Sequence, residues 1–126
     1  MAGGKKNMSK KILIVDDSPI VIYELSVILD ELGFSVVGEA LSGEEALEKI
    51  DELNPDIITL DIVMPGINGF ELLKKIKDSG KNIKIIMITA LGKQQMILDC
   101  LRAGADDFIE KPFVKEKIIN VLNNYL

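Results

Sequence analysis

The chain has 126 residues, the length of a single domain, with 48% hydrophobic residues and a net charge of −5. The excess of acids argues against binding to nucleic acid. No apolar run reaches the ~18 residues that a membrane helix needs and the first residues are polar, so we expect a cytoplasmic protein without membrane insertion. Histidine is missing from the sequence, which excludes a serine–histidine pair, an imidazole zinc site and a phosphohistidine on this chain.

The sequence predicts one domain. Residues 1–10 are polar and contain glycine, and we expect a flexible lead-in or a vector-derived remnant there. Residues 11–126 carry the regular apolar patterns of a fold and contain no linker or repeat.

Short apolar runs followed by turn residues predict five strands, separated by helical apolar patterns. We expect the strands at residues 12–15, 34–40, 56–60, 83–88 and 107–109. The helices are expected between Pro19 and Gly33, from 43 to 53, between Gly69 and Gly80, from 93 to 103, and from 115 onward. This alternation predicts an α/β fold, with a doubly wound five-stranded parallel sheet and five helices on its two faces.

Polar residues stand at the ends of four predicted strands. They are Asp16 and Asp17, Asp61, Thr89, and Lys111. One acid at a strand end is usually a helix cap or a turn residue. The carboxyl ends of parallel strands meet at the ligand-binding edge of the sheet, however, and three crowded acids there require a cation. Acids, a hydroxyl and an amine together are typical of a site that handles a phosphoryl group with a hard metal ion.

With Met64-Pro65-Gly66, Thr89-Ala90 and Lys111-Pro112-Phe113 in the same order, these residues make the chain similar to the receiver domain of bacterial two-component response regulators, the CheY-like family. The resemblance covers residues 11–126. It implies the flavodoxin-like strand order 2-1-3-4-5 and a phosphoacceptor signalling protein rather than an enzyme. Its only catalysis would be its own phosphorylation and a slow self-dephosphorylation.

The resemblance also implies the metal ligands. Asp61 would be the phosphoacceptor, and it would bind Mg²⁺ together with Asp17 and the backbone carbonyl of Val63. Asp16 would act partly through a metal-bound water. Mn²⁺ could substitute for Mg²⁺, because both prefer oxygen ligands.

Further roles follow from the same resemblance. Lys111 would pair with one phosphoryl oxygen and Thr89 would hydrogen-bond another. The Lys111–Pro112 bond would be cis, and Phe108 would be the aromatic switch residue that turns inward with Thr89. Many family members carry tyrosine at that position, and the alternative is that Phe108 is simply a core residue of an edge strand.

The implied partners are a sensor histidine kinase or a histidine phosphotransfer protein, and a downstream protein bound by the face of helix 4, strand 5 and helix 5. We expect a monomeric, stand-alone regulator, with chemotaxis as the leading pathway. A receiver in a multi-step phosphorelay and a docking module without phosphorylation remain alternatives. So does a hydrolase resembling haloacid dehalogenase-type phosphatases, although Val63 stands where those enzymes carry a second acid. A nucleotide or flavin module would need a glycine-rich phosphate loop that is missing.

Two smaller expectations concern apolar positions. Val63 and Leu91 lie two residues beyond Asp61 and Thr89, where the resemblance places residues beside the attacking water. Because neither side chain can orient water, slow self-dephosphorylation is expected. The single cysteine, Cys100, fits the buried face of a helix better than a reactive thiol.

Overall fold

The computed structural model describes residues 10–90 and 92–125. The expected lead-in, apart from Lys10, and the prediction for Leu91 lie outside the described residues. Strands and helices alternate through this range. In chain order they are β1 (Lys11–Val15), α1 (Pro19–Glu31), β2 (Ser35–Ala40), α2 (Gly43–Leu53), β3 (Ile57–Asp61), α3 (Gly69–Asp78), β4 (Lys84–Ala90), α4 (Gln94–Arg102), β5 (Asp107–Lys111) and α5 (Lys115–Leu122), followed by a 3₁₀ turn (Asn123–Tyr125).

The sheet has the predicted topology. Its five strands lie in the order β2-β1-β3-β4-β5, and every neighbouring pair is parallel. The fold class is therefore confirmed. None of the helices in the described ranges is both long and apolar enough to cross a membrane.

Several element ends differ by a residue or two from the sequence expectation, and two of the differences involve contacts with other parts of the chain. β5 does not stop at residue 109, because Glu110 and Lys111 pair with Thr89 and Ala90 of β4. The last helix ends in a 3₁₀ turn, where the Tyr125 hydroxyl donates a hydrogen bond to the Asp106 carbonyl at 3.0 Å. In both places a contact with a neighbouring element sets the boundary, and local sequence does not report such contacts.

Each face of the sheet is covered by helices. One buried cluster joins the sheet to α2, α3 and α4, and includes Leu13, Leu60, Ile50, Leu72 and Cys100. The other joins it to α1 and α5, and includes Ile14, Ile86, Leu25 and Ile118. Cys100 is fully buried, as predicted, and burial raises the pKa of its thiol.

Capping residues fix where three helices begin. The Ser18 side chain accepts a hydrogen bond from Val21 N–H before α1, and the Ser42 side chain accepts one from Glu45 N–H before α2. Asn68 forms a reciprocal capping box with Glu71 at the start of α3. These caps end the loops that follow β1, β2 and β3, and so help to place the residues on those loops.

Candidate functional site

Three carboxylates converge at the carboxyl edge of the sheet. Asp16 and Asp17 follow β1, and Asp61 is the last residue of the adjacent strand β3. One oxygen from each lies within 4.8 Å of the others. Asp16 and Asp61 are only 1% and 6% exposed, whereas Asp17 is exposed to solvent. The predicted convergence is therefore present, with two buried acids and one at the opening.

Lys111 supplies positive charge from the end of β5. Its Nζ lies 3.3 Å from Asp16 Oδ2 and 3.6 Å from Asp61 Oδ1. Within residues 10–90 and 92–125, no other cation lies within salt-bridge distance of the three acids. The Lys111–Pro112 peptide bond is cis, as the resemblance implied.

The site is short of positive charge. Burial, which is the largest cause, and the neighbouring charge of Asp16 together raise the pKa of Asp61 to about 6, although Lys111 acts in the opposite direction. A single ammonium group therefore does not offset the desolvation of Asp61 and its repulsion by the other acids. Clustered carboxylate oxygens with surplus negative charge are suited to a hard divalent cation such as Mg²⁺.

Asp16 is held in place by the backbone of the next helix. Its Oδ1 accepts a hydrogen bond from Ser18 N–H at 2.9 Å, while its Oδ2 faces Lys111. The sequence pattern predicted a helix from Pro19 onward but did not predict this contact between Asp16 and Ser18. An aspartate two residues before a serine is a recognised Asx-turn pattern, so the signal was present in the sequence.

Thr89 lies between the strands that carry Asp61 and Lys111. It belongs to β4, which pairs with both β3 and β5, and its side chain is buried. Its hydroxyl donates only a long hydrogen bond, 3.4 Å, to the Ala90 carbonyl. The hydroxyl is weakly engaged, and this leaves it able to donate to another acceptor.

Phe108 is half-buried on β5, where it packs against the cluster under α2, α3 and α4. It also lines a cavity of about 310 Å³ with residues of α5 such as Val121. Phe108 therefore contacts the core and also faces an open space, and this position fits either alternative raised by the sequence. Its role as a switch residue stays a prediction.

Val63 follows Asp61 by two residues and is 67% exposed, whereas the next residue, Met64, is buried. The Val63 side chain therefore faces solvent near the acids and brings no polar atom to them. Its expected metal contact would come from the backbone carbonyl, and that assignment stays a prediction.

Comparison with known proteins gives the same family that the residues suggested. A family model described as the response regulator receiver domain matches residues 12–123. The chemotaxis protein CheY of Thermotoga maritima is 45% identical over 92% of this chain and 97% of its own length. The chemotaxis protein CheY of Bacillus subtilis is 43% identical over 94% of this chain and 99% of its own length.

A solved structure is similar over the same range. It is a CheX–CheY–BeF3–Mg complex from Borrelia burgdorferi, and it matches with a TM-score of 0.86 and 41% identity. The match covers 93% of this chain and 90% of the other. Fold and sequence therefore agree on one family, and the relatives are matched over almost their whole length.

Proposed function

The chain belongs to the response regulator receiver family and is closely related to CheY chemotaxis proteins, and from this premise we propose that Asp61 accepts a phosphoryl group from a phosphohistidine on a partner protein. The observation that carries the proposal is the convergence of three carboxylates with Lys111 at one edge of the sheet. Family relatives that interact with kinases and phosphotransfer proteins support this choice of donor. The donor supplies the histidine that this chain lacks.

Asp61 is the only residue of this chain that forms a covalent bond with the phosphoryl group in the proposed transfer. One of its carboxylate oxygens attacks phosphorus while the N–P bond of the donor breaks, and the bonding electron pair stays on the imidazole nitrogen. Asp61 is mostly ionised above its pKa of about 6, which is raised by its surroundings. Lys111, 3.6 Å from Asp61, then holds a phosphoryl oxygen and spreads its charge.

The donor set of the site fits Mg²⁺. One oxygen each of Asp16, Asp17 and Asp61 lies within 4.8 Å of the others. We propose Asp17, Asp61 and the Val63 carbonyl as direct ligands, with Asp16 acting partly through a metal-bound water. A bound Mg²⁺ supplies charge neutralisation of the phosphoryl oxygens. Mn²⁺ is proposed as a substitute because it accepts the same ligands.

Phosphorylation changes the partners of Lys111 and Thr89. In the unphosphorylated structure Lys111 lies between the carboxylates of Asp16 and Asp61. A phosphoryl group on Asp61 offers the lysine a more highly charged acceptor. The Thr89 hydroxyl, with its 3.4 Å bond to Ala90, gains a stronger acceptor as well. Both residues belong to the half of the sheet that carries β5 and Phe108, so their movement reaches the proposed output face of α4, β5 and α5.

We propose that a downstream protein of a chemotaxis pathway reads this change. The support is the 43–45% identity with two CheY proteins over almost their whole length. The exposed side chain of Val63 is apolar and cannot orient an attacking water, so the phosphorylated state is expected to decay slowly.

The decisive experiment is incubation with acetyl phosphate and Mg²⁺, followed by intact-protein mass spectrometry. Wild type is expected to gain one phosphoryl group and to lose this gain when a chelator is present. Asp61→Asn should abolish the gain. Asp30→Asn, which changes an exposed acid on α1, is the matched control and should be labelled normally.

Other outcomes identify other functions. Undiminished labelling of Asp61→Asn would show that the acceptor is wrong. Repeated turnover of a small phosphate ester would favour a hydrolase. Binding to a histidine kinase with no labelling under any condition would favour a docking module.

A further inference from the structure

The loop between β3 and α3, residues 62–68, directly follows Asp61 and carries Val63. A backbone hydrogen bond closes it, because Gly69 N–H donates to the Ile62 carbonyl at 2.8 Å. The two ends of the loop therefore meet next to the proposed phosphoacceptor. Contacts that hold these ends therefore help to place the main chain on either side of Asp61 and Val63.

Gly69 is the first residue of α3, and it packs against the main chain of Asp61. A methyl group on its Cα would overlap the Asp61 carbonyl oxygen, and it would lie 2.6 Å from Ile62 Cα and 2.9 Å from the Asp61 carbonyl carbon. All three atoms are backbone atoms, so no rotation of a side chain can relieve the overlap. A larger residue here has to push α3 away from the end of β3.

Gly43 makes a similar contact with the same loop. It is the buried first residue of α2, and a methyl group there would lie 2.8 Å from both the carbonyl oxygen and the Cβ of Ile67. The next residue of α2, Glu44, brings its carboxylate against Gly66 of the same loop. The beginning of α2 therefore rests on the loop at two successive residues.

We infer that Gly43 and Gly69 are positioning residues for the proposed phosphorylation site. The first residues of α2 and α3 both contact the loop. Because glycine has no Cβ, each helix can approach the loop closely at this residue. This inference rests on the proposed function. Mg²⁺ requires near-octahedral geometry at about 2.0–2.1 Å, so displacing the end of β3 weakens its binding even when the fold persists.

The test compares three glycine-to-alanine variants. Gly69→Ala and Gly43→Ala alter the two helix starts. Gly38→Ala is the matched control, because a methyl group there would lie 2.7 Å from Leu53 Cδ1, a flexible side-chain end beneath the edge strand β2. Each variant is examined for Mg²⁺ affinity by titration calorimetry, for the rate of labelling by acetyl phosphate, and for its Tm.

Gly69→Ala is expected to weaken Mg²⁺ binding about tenfold or more and to slow labelling at least as much, since small misplacements of reacting groups are costly. Gly43→Ala should have a smaller effect in the same direction, because part of its overlap falls on the Ile67 side chain. Gly38→Ala should bind Mg²⁺ within about twofold of wild type even if its Tm falls equally, because affinity follows local geometry.

Unchanged Mg²⁺ affinity and labelling in Gly69→Ala would overturn the inference, as would an equal loss in Gly38→Ala. If Gly69→Ala does not fold, Gly43→Ala decides, and wild-type Mg²⁺ affinity in that variant overturns the inference. Failure of the wild type to bind Mg²⁺ or to be labelled would instead contradict the proposed function itself.

Discussion

The acids at the amino-terminal ends of the strands (the amino edge) and those at the carboxyl-terminal ends (the carboxyl edge) have different charged neighbours. At the amino edge, Asp106 accepts a hydrogen bond from Ile85 N–H at 2.9 Å and lies 3.2 Å from Lys77 and 3.8 Å from Lys84. At the carboxyl edge, three acids converge, and Lys111, which lies beside Asp16 and Asp61, is the one described cation within salt-bridge distance of them. The charge of Asp106 is therefore balanced by lysines of the chain itself, whereas the carboxyl edge keeps a surplus of negative charge that a ligand has to neutralise. We therefore expect the acid at the amino edge to contribute to stability and the acids at the carboxyl edge to contribute to binding.

The largest expected effect comes from removing the balanced acid. Asp106→Ala leaves the fully buried Ile85 with an unpaired N–H and takes the partner from Lys77. We expect a loss of about 3 kcal/mol in the free energy of unfolding, measured by urea denaturation. Labelling by acetyl phosphate should stay normal below the unfolding transition. A stable Asp106→Ala variant that is no longer labelled would contradict the claim that stability and binding depend on opposite ends of the strands.

Removing an acid at the carboxyl edge should have the opposite effect and raise the free energy of unfolding. Asp61→Asn removes a carboxylate whose pKa is raised from 3.8 to about 6, and without metal it should increase the free energy of unfolding by about 2–3 kcal/mol at pH 7.5. The neutral form is the one that the folded state favours. Urea denaturation of both proteins at matched pH measures the gain.

The gain should depend on pH in a defined direction. The raised pKa of Asp61 in the folded protein means that its favourable contribution is complete below 3.8 and is lost as the pH rises through about 6. The advantage of Asp61→Asn should therefore be absent near pH 3.5, appear between these values and be full above pH 7. A gain that is equally large near pH 3.5 would contradict an electrostatic origin.

A smaller effect is expected midway between the edges. Among residues 10–90 and 92–125, the Thr59 hydroxyl is the only buried side-chain polar atom without a hydrogen-bond partner. Thr59→Val keeps the shape and removes that group, so we expect a gain of about 1 kcal/mol. Urea denaturation checks the gain, and Thr59→Ser, which keeps the hydroxyl, is the control. A loss of stability in Thr59→Val would show that the hydroxyl has a partner in solution.

The sequence predicted the parts of this molecule that depend on local pattern. Apolar runs such as Ile12–Val15 identify buried strands, and acids directly after them must meet at one edge if the sheet is parallel. The extension of β5 and the contact of Lys111 with Asp16 depend instead on the register of strands that are distant in the chain. The close approach of Gly69 to Asp61 depends on where α3 docks. None of these three features has a local signature, because each is a property of two packed elements.

The most direct test of the surplus charge at the carboxyl edge is the Tm of wild type and of Asp61→Asn over a series of Mg²⁺ concentrations at pH 7.5. Wild-type Tm should rise with Mg²⁺, because only the folded protein brings the three carboxylates together. Asp61→Asn should start at a higher Tm and gain much less. A wild-type Tm that does not respond to Mg²⁺, or an equal rise in the two proteins, would contradict a metal-binding role for this edge of the sheet.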